Sequence, residues 1–352
     1  MRGIKNRYFE GERILYGLND ANLEGITFGE GESPLKEATN ITLKNSIFKW
    51  KYPLWYDENV NVENTTFETM SRSGIWYTKN ISILNNGRHV LSGDLQFDGE
   101  KYAVDWQDLE QKLAEPLTTL MIFCNPHNPV GKVWTAEEVQ RIADLCHKHH
   151  VTLLSDEIHG DLVRKGPDYT PAFSVEVPAK QSVISLVSPS KTFNVAALHA
   201  ATAIVPDENL REMVSRGLNS DEVAEPNLLA IPATIAAYEQ GHDWLKGLKA
   251  QLNDNFDYAA EFIQAKIPTA KVISGTATYL MWIDVHEITD NSEKLVNFIR
   301  EETGLIVSAG SIYRGDGHDF IRINLACPLE MVKDGMDRLA TGISKYSKWL
   351  YM

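Results

Sequence analysis

The sequence predicts an α/β fold preceded by a short β-solenoid, and three observations carry that prediction. Residues 20–85 repeat an Asn-centred unit with a period of about 20 residues. Beyond about residue 86, strand-like apolar runs alternate with helical ones. Three of the apolar runs end in a polar anchor: Leu120–Cys124 leads into Asn125-Pro-His-Asn-Pro-Val-Gly131, Val151–Leu154 into Ser155-Asp-Glu-Ile-His159, and Ser182–Val187 into Ser188-Pro-Ser-Lys-Thr-Phe-Asn194.

In the repeat, Asn40-Ile-Thr-Leu-Lys-Asn-Ser-Ile-Phe48 aligns with Asn59-Val-Asn-Val-Glu-Asn-Thr-Thr-Phe67. Partial copies stand at Asn80-Ile-Ser-Ile-Leu-Asn85 and Asn22-Leu-Glu-Gly-Ile-Thr-Phe28. Alternation places Ile41, Leu43, Val60, Val62, Ile81 and Ile83 on one inner face. Asn45, Asn64 and Asn85 are expected to stack as an amide ladder, beside a stack of Phe28, Phe48 and Phe67. A set of antiparallel hairpins is the alternative arrangement, and a solenoid of so few rungs needs a cap or a neighbour. Tyr8-Phe-Glu-Gly-Glu-Arg13, Gly31-Glu-Ser-Pro-Leu-Lys36, Phe48-Lys-Trp-Lys-Tyr-Pro-Leu-Trp-Tyr56 and Ser73-Gly-Ile-Trp-Tyr77 make residues 1–85 similar to a family of bacterial right-handed β-helix proteins of unknown function.

In the remainder, Thr135 with Glu138 forms a capping-box pattern. Val139, Ile142, Ala143 and Cys146 follow at helical spacing, and His147-Lys-His-His150 supplies cations to the helix C-terminus. The histidines are read as end charges rather than as a metal site. Strand, helix, strand in this order predicts a parallel sheet. The stretch from Thr234 to Ala265 reads as a long helix. A smaller α+β end piece carries the strands Tyr279–Ile283 and Phe320–Asn324. The expected domains are therefore 1–85, 86–232 and 233–352.

Charge excludes some partners. The chain of 352 residues carries 34 basic against 48 acidic side chains, a net −14, which argues against nucleic acid and anionic membranes. No apolar run approaches the roughly 20 residues that span a bilayer, and the N-terminus lacks a signal-peptide core. Cys124, Cys146 and Cys327 are odd in number and widely spaced, so neither a disulfide framework nor a zinc site is expected. A cytoplasmic location follows.

Ligands of open α/β sheets sit beyond the carboxyl ends of the strands, where Asn128, Asp156 and Lys191 all fall. A pyridine cofactor needs this set: a carboxylate at its ring nitrogen, a donor to its phenolic oxygen and an amine for its aldehyde. Asp156, Asn128 and Lys191 fill those places, with Ser188 and Ser190 as donors to a phosphate. Three alternatives stand beside this reading: an ordinary ion pair between Asp156 and the lysine, turn asparagines with a surface lysine, and a serine acyl-transfer site built on Ser188-x-x-Lys191. The companion motifs S-D-N and K-T-G of the last are absent.

The run Cys124-Asn-Pro-His-Asn-Pro-Val-Gly-Lys-Val-Trp134, together with Ser155–His159, Ser190–Asn194 and Phe320-Ile-Arg-Ile-Asn-Leu-Ala-Cys-Pro328, resembles the pyridoxal-phosphate enzymes of aspartate-aminotransferase fold (fold type I, aminotransferase class I/II). Within them it is most similar to the branch of MalY/PatB-type cystathionine β-lyases. The resemblance runs from Asn85 to the C-terminus. It implies pyridoxal 5'-phosphate as cofactor and Lys191 as the Schiff-base lysine and base at Cα. It places Asp156 at the pyridine nitrogen and Asn128 at the ring oxygen. His159 stands where many aminotransferases have a tyrosine, and Arg322 is a planar fork for the substrate α-carboxylate. The implied reaction is α,β-elimination on an L-amino-acid thioether, with transamination as the alternative outcome, and family analogy implies a homodimer.

The chain also departs from that family. Its phosphate-binding glycine turn, its ring-stacking aromatic residue and its subunit-crossing tyrosine have no match here, because residues 1–85 occupy their place. Trp55, Trp76 and Tyr77 belong to the repeat and do not replace them. Ala197 stands where the family has glycine, and Arg314 and His318-Asp319 stand in its glycine-bearing loop. The expectation is an N-terminally truncated lyase domain with weak cofactor affinity; a non-enzymatic fusion or binding protein is the alternative.

Overall fold

A computed structural model describes residues 2–67, 75–76, 79–84, 89–92, 95–116, 118–313 and 315–350, with side chains at all of these except 2, 75–76, 79–84, 89–92 and 350. The features expected at Tyr77, Asn85 and Arg314, and of the side chains of Trp76, Ile81 and Ile83, lie outside the described residues. The chain divides into two compact units. One comprises Met1–Leu91, Glu115–Leu120 and Arg211–Glu225; the other comprises Ser92–Ala114, Met121–Leu210 and Pro226–Met352.

In the first unit each repeat contributes one long and one short strand. Arg2–Lys5, Asn19–Glu24, Thr39–Lys44, Glu58–Glu63 and Lys79–Leu84 pair side by side in that order, all parallel. Tyr8–Phe9, Thr27–Phe28, Ile47–Phe48 and Thr66–Phe67 form a second parallel set. The register pairs equivalent repeat positions, Leu23 with Leu43 and Leu43 with Val62. Pairing like with like leaves every inner position apolar, and Ala21, Leu23, Ile41, Leu43, Val60 and Val62 are all buried. The phenylalanine column extends from Phe9 to Phe67, with successive ring centroids 5.9, 4.6 and 5.1 Å apart. An amide ladder forms at the first Asn of the repeat: Asn59 Nδ2 donates to Asn40 Oδ1 (3.0 Å) and Asn40 Nδ2 to Asp20 Oδ1 (2.9 Å). Asn45 and Asn64 instead occupy the corner after each long strand with φ near +50° and +47°. Among residues with a Cβ, asparagine tolerates that left-handed conformation best.

The second unit places the strand ending at Cys124 beside Thr152–Asp156, then Val183–Val187, then Thr202–Ile204. Thr152–Asp156 and Val183–Val187 run parallel, and Thr202–Ile204 is antiparallel to its neighbour. The connecting helix Ala136–Lys148 carries the expected capping box at Thr135 and Glu138, and buries Val139, Ile142, Ala143 and Cys146. Among the described residues no His, Cys, Asp and Glu cluster could hold a metal ion, and no helix is long and apolar enough to cross a membrane.

The expected helix from Thr234 to Ala265 is two helices, Ala230–Gln240 and His242–Lys266, broken at Gly241. A Cβ at Gly241 would lie 2.3 Å from the Ala237 carbonyl oxygen and 2.4 Å from a Phe193 ring carbon, so only glycine permits that corner. The C-terminal sheet has the order Lys271–Val272, Leu280–Asp284, Phe320–Asn324, Ser308–Ala309, entirely antiparallel. Ser292–Thr303 and Leu329–Leu350 supply helices to the core that includes Leu295, Ile299, Met281, Ile321 and Met336.

Two backbone approaches tie the Asn128 loop to this end piece. Gly275 donates to the Val130 carbonyl (2.7 Å), and Ala277 to that of Gly131 (3.0 Å). A Cβ on Gly275 would fall 2.2 Å from the Gly131 carbonyl oxygen. Arg164 spans the same seam, donating to the carbonyls of Thr278 (3.0 Å) and Gly275 (2.9 Å).

Candidate active site

Strand ends carry the anchors. The Asn125 N–H donates to the Asp156 carbonyl at 2.9 Å, which ties the turn after Cys124 to the end of the adjacent strand. Asp156 is the last residue of its strand, half-buried, and its carboxylate accepts from the Ile158 N–H at 3.3 Å. Its charge adds to burial in pushing the Cys124 thiol up to about 11, so Cys124 is a neutral thiol and not a nucleophile.

Lys191 lies on a one-turn helix, Pro189–Thr192, rather than on an open loop. Pro189 is suited to the first helical position, and the Ser188 hydroxyl caps it, accepting from the Ser190 N–H at 3.1 Å. Ser188 donates onward to the Ala200 carbonyl (2.6 Å), and its oxygen lies 2.7 Å from that of Ser190. Half-buried Lys191 makes no ion pair or hydrogen bond through its ammonium among the described residues.

Arg322 sits on Phe320–Asn324 and brings the two parts of the site together. Its Nη1 donates to Asn128 Oδ1 at 3.2 Å, its Nη2 reaches Ser308 Oγ at 3.5 Å, and its guanidinium lies 5.1 Å from the centroid of Tyr313. Because the Asn128 oxygen accepts from Arg322, its Nδ2 is the face left to donate to a ligand.

His159 is 4 % exposed and packs edge-on against Tyr279 at 5.5 Å. Burial, reinforced by the positive charges of Lys191 and Arg322, pulls its imidazole down to about 4. It is therefore neutral at pH 7, and its Nδ1 has no partner among the described residues. The motif-derived set Lys191, His159, Arg322 and Asn128 is thus linked by contact or by charge.

Two cavities of about 370 Å³ each flank these residues. Ser190, Lys191, Trp244, Asn255 and Tyr279 line one; Cys124, Asn128, Val130, Trp282 and Tyr313 line the other. Sequence patterns gave no sign of Asn255 or Tyr279. Glu157 was also missed: it is buried and accepts from the Ala172 N–H (2.9 Å) and the Ser185 hydroxyl (2.9 Å), with the Tyr169 hydroxyl on its other oxygen. It braces the strand end that carries Asp156. In the departing loop, His318 lies 3.5 Å from Asp319 in the short 3-10 helix Gly315–Asp319.

Comparison with known proteins gives two matches along the chain. Residues 2–90 match a family described only as protein of unknown function, and residues 90–339 match aminotransferase class I and II. The chain is 36 % identical to cystathionine β-lyase PatB of Bacillus subtilis, over 74 % of this chain and 68 % of that protein. It is 34 % identical to protein MalY of Escherichia coli, over 74 % and 67 %. Among solved structures, cystalysin of Treponema denticola with a pyridoxal 5'-phosphate cofactor superposes with a TM-score of 0.69 at 28 % identity, covering 76 % of this chain and 66 % of that one. The pyridoxal-phosphate-bound C–S lyase of Staphylococcus hominis gives 0.65 at 31 %, covering 76 % and 67 %. The matched segment spans about two thirds of the length of these relatives.

Proposed function

The chain belongs to the aminotransferase class I and II family through residues 90–339, and on that premise we propose that it is a pyridoxal-phosphate-dependent carbon–sulfur β-lyase acting on an L-amino-acid thioether. The observation that carries the reading is the convergence of Lys191, unpaired among the described residues, a neutral His159 and the Arg322–Asn128 pair. The relatives named cystathionine β-lyase, C–S lyase and cystalysin support the substrate class.

The donor set fits pyridoxal 5'-phosphate. Lys191 offers an amine with no competing carboxylate partner, Asp156 a carboxylate at a strand end, and Asn128 a donor face fixed by its bond to Arg322. The neutral His159 adds no positive charge beside the lysine. Ser190 is a donor for the phosphate, whereas the Ser188 hydroxyl gives its one proton to the Ala200 carbonyl and would have to be released to serve as the second. When bound, the cofactor supplies an electron-withdrawing pyridinium conjugated to the substrate Cα.

The protein's own groups do the rest. The Arg322 fork holds the α-carboxylate and fixes which face of Cα meets Lys191. Lys191 Nζ takes the Cα proton, and Asp156 keeps the ring nitrogen protonated. The β-thiolate departs and takes up a proton to leave as the thiol, and water hydrolyses the released 2-aminoacrylate to pyruvate and ammonia. With pyridoxal 5'-phosphate bound, the same residues would also support transamination. A homodimer, and a division of the second unit near residue 232, belong to the same reading.

The test is direct. Purified protein titrated with pyridoxal phosphate acquires a visible absorption band that Lys191→Ala lacks, and releases pyruvate from L-cystathionine. A band without pyruvate, but with amino transfer to an oxo acid, identifies an aminotransferase. No band at saturating cofactor removes the enzymatic reading and leaves a binding protein.

A further inference from the structure

Lys191 rides on a single helical turn, and a helix that short does not hold itself together. Two backbone bonds close its exit: the Phe193 N–H donates to the Pro189 carbonyl at 2.9 Å, and the Val195 N–H to that of Ser190 at 3.0 Å. The ammonium of Lys191 makes no ion pair or hydrogen bond among the described residues. The direction of the side chain therefore depends on how firmly the turn beneath it is anchored.

The anchor is the next residue. Thr192 is 0 % exposed, and its hydroxyl donates to Asp161 Oδ2 at 2.9 Å, across 31 positions of sequence. Asp161 is exposed and stands in the short 3-10 helix Gly160–Leu162, directly after His159. That turn is bonded back to the strand-end segment: the Gly160 N–H donates to the Glu157 carbonyl and the Leu162 N–H to that of His159, both at 2.9 Å. The Asp161 carboxylate forms no ion pair among the described residues, so its bond to Thr192 is not in competition with a cation. Phe193, on the far side of Thr192, packs edge-on against Tyr238 at 5.4 Å and lies 6.1 Å from Trp244.

We propose that Asp161 is the positioning residue of Lys191. By accepting from Thr192 it locks the lysine's turn onto the segment that carries Asp156 and His159. The amine is thereby fixed relative to the carboxylate that the same pyridine ring has to meet, and sites built this way lose function when the supporting bonds loosen. Asp161 itself touches neither cofactor nor substrate. This rests on the cofactor reading above and adds to it the residue that holds the lysine in place.

The experiment compares the full chain with Asp161→Ala, Asp161→Asn, Thr192→Val and the double variant Asp161→Ala/Thr192→Val. Dissociation constants for pyridoxal phosphate are read from the visible band. Hydrogen exchange of the peptide spanning residues 188–195, followed by mass spectrometry without cofactor, reads the turn itself. Asp161→Ala and Thr192→Val each weaken binding about tenfold, the scale of a hydrogen bond to a charged group, and each speeds exchange at Phe193 and Val195. The double variant is no weaker than either single one, since both remove the same bond. Asp161→Asn stays within about twofold of wild type in both readouts, because the amide oxygen still accepts. General damage to the fold would not be rescued in that way, and Asp161, being exposed, is replaced without disturbing the core. Wild-type constants or wild-type exchange in Asp161→Ala, losses that add in the double variant, or Asp161→Asn as weak as Asp161→Ala overturn the positioning role while sparing the lyase reading. Absence of a band in the wild-type protein overturns both.

Discussion

His159 shows how far a single position can be argued. Its imidazole is held down to about 4 against an ordinary 6.5, by burial first and by Lys191 and Arg322 next. The folded pKa lies below the unfolded one, so as pH falls the unfolded chain takes up the proton first. Stability from this residue is full above about 6.5 and is lost as pH falls towards about 4. Denaturant titrations of wild type and His159→Phe from pH 7.5 to 5 therefore diverge: wild type loses up to about 1.4 kcal/mol per pH unit more than the variant. Parallel profiles would show that the ring is solvated. The motifs single out Lys191, Asp156, Asn128, His159 and Arg322 as candidates, because each is a polar residue at a strand end or within a marked run. Asn255 and Glu157 were not legible. A buried amide in mid-helix and a buried carboxylate one residue past Asp156 acquire partners only through the fold, from residues 70 and 12 positions away in the closest cases.

Elements with a strong period were read well, and elements set by close approach were not. The apolar alternation and the phenylalanine spacing survive as parallel registers and a ring column, because in-register stacking repeats each local environment. Phe48 is fully buried between two stacked rings, and Phe48→Ala lowers the unfolding free energy by about 3–5 kcal/mol in chemical denaturation. A loss below 1 kcal/mol would mean that the column does not bear on stability. The break at Gly241 is not legible in the sequence, since an isolated glycine is compatible with a helix. The Ala237 carbonyl and the Phe193 ring together forbid anything larger. The hairpin Leu95–Phe97 with Tyr102–Val104 was likewise unread: its strands are three residues long, below what a periodicity argument resolves. At the Gly131–Gly275 seam, Gly275→Ala forces the backbone apart by its contact with Gly131. That variant lowers cofactor affinity through displacement of the Asn128 loop while Lys191 remains in place. Unchanged affinity, measured by cofactor titration, would show that the seam does not position the site.

The chain joins a unit of stacked parallel rungs to a second unit that carries an aminotransferase-class site, and the two obey different grammars because their cores are built differently. In the first, each rung is completed only by its neighbours; in the second, helices cover strands whose ends hold the chemistry. The period of the sequence changes near residue 86, and the aminotransferase class I and II match begins at residue 90. The lysine, carboxylate, amide and guanidinium proposed for the site lie in a segment that spans about two thirds of the length of its relatives. The central claim is that Lys191 is the residue that captures pyridoxal phosphate. Borohydride reduction of the protein equilibrated with pyridoxal phosphate, followed by peptide mass mapping, tests it most directly. The account predicts one covalently labelled peptide, that containing Ser188–Asn194, with the mass addition on Lys191 and none in Lys191→Ala. An unlabelled protein, or label spread over surface lysines with none on Lys191, would contradict it.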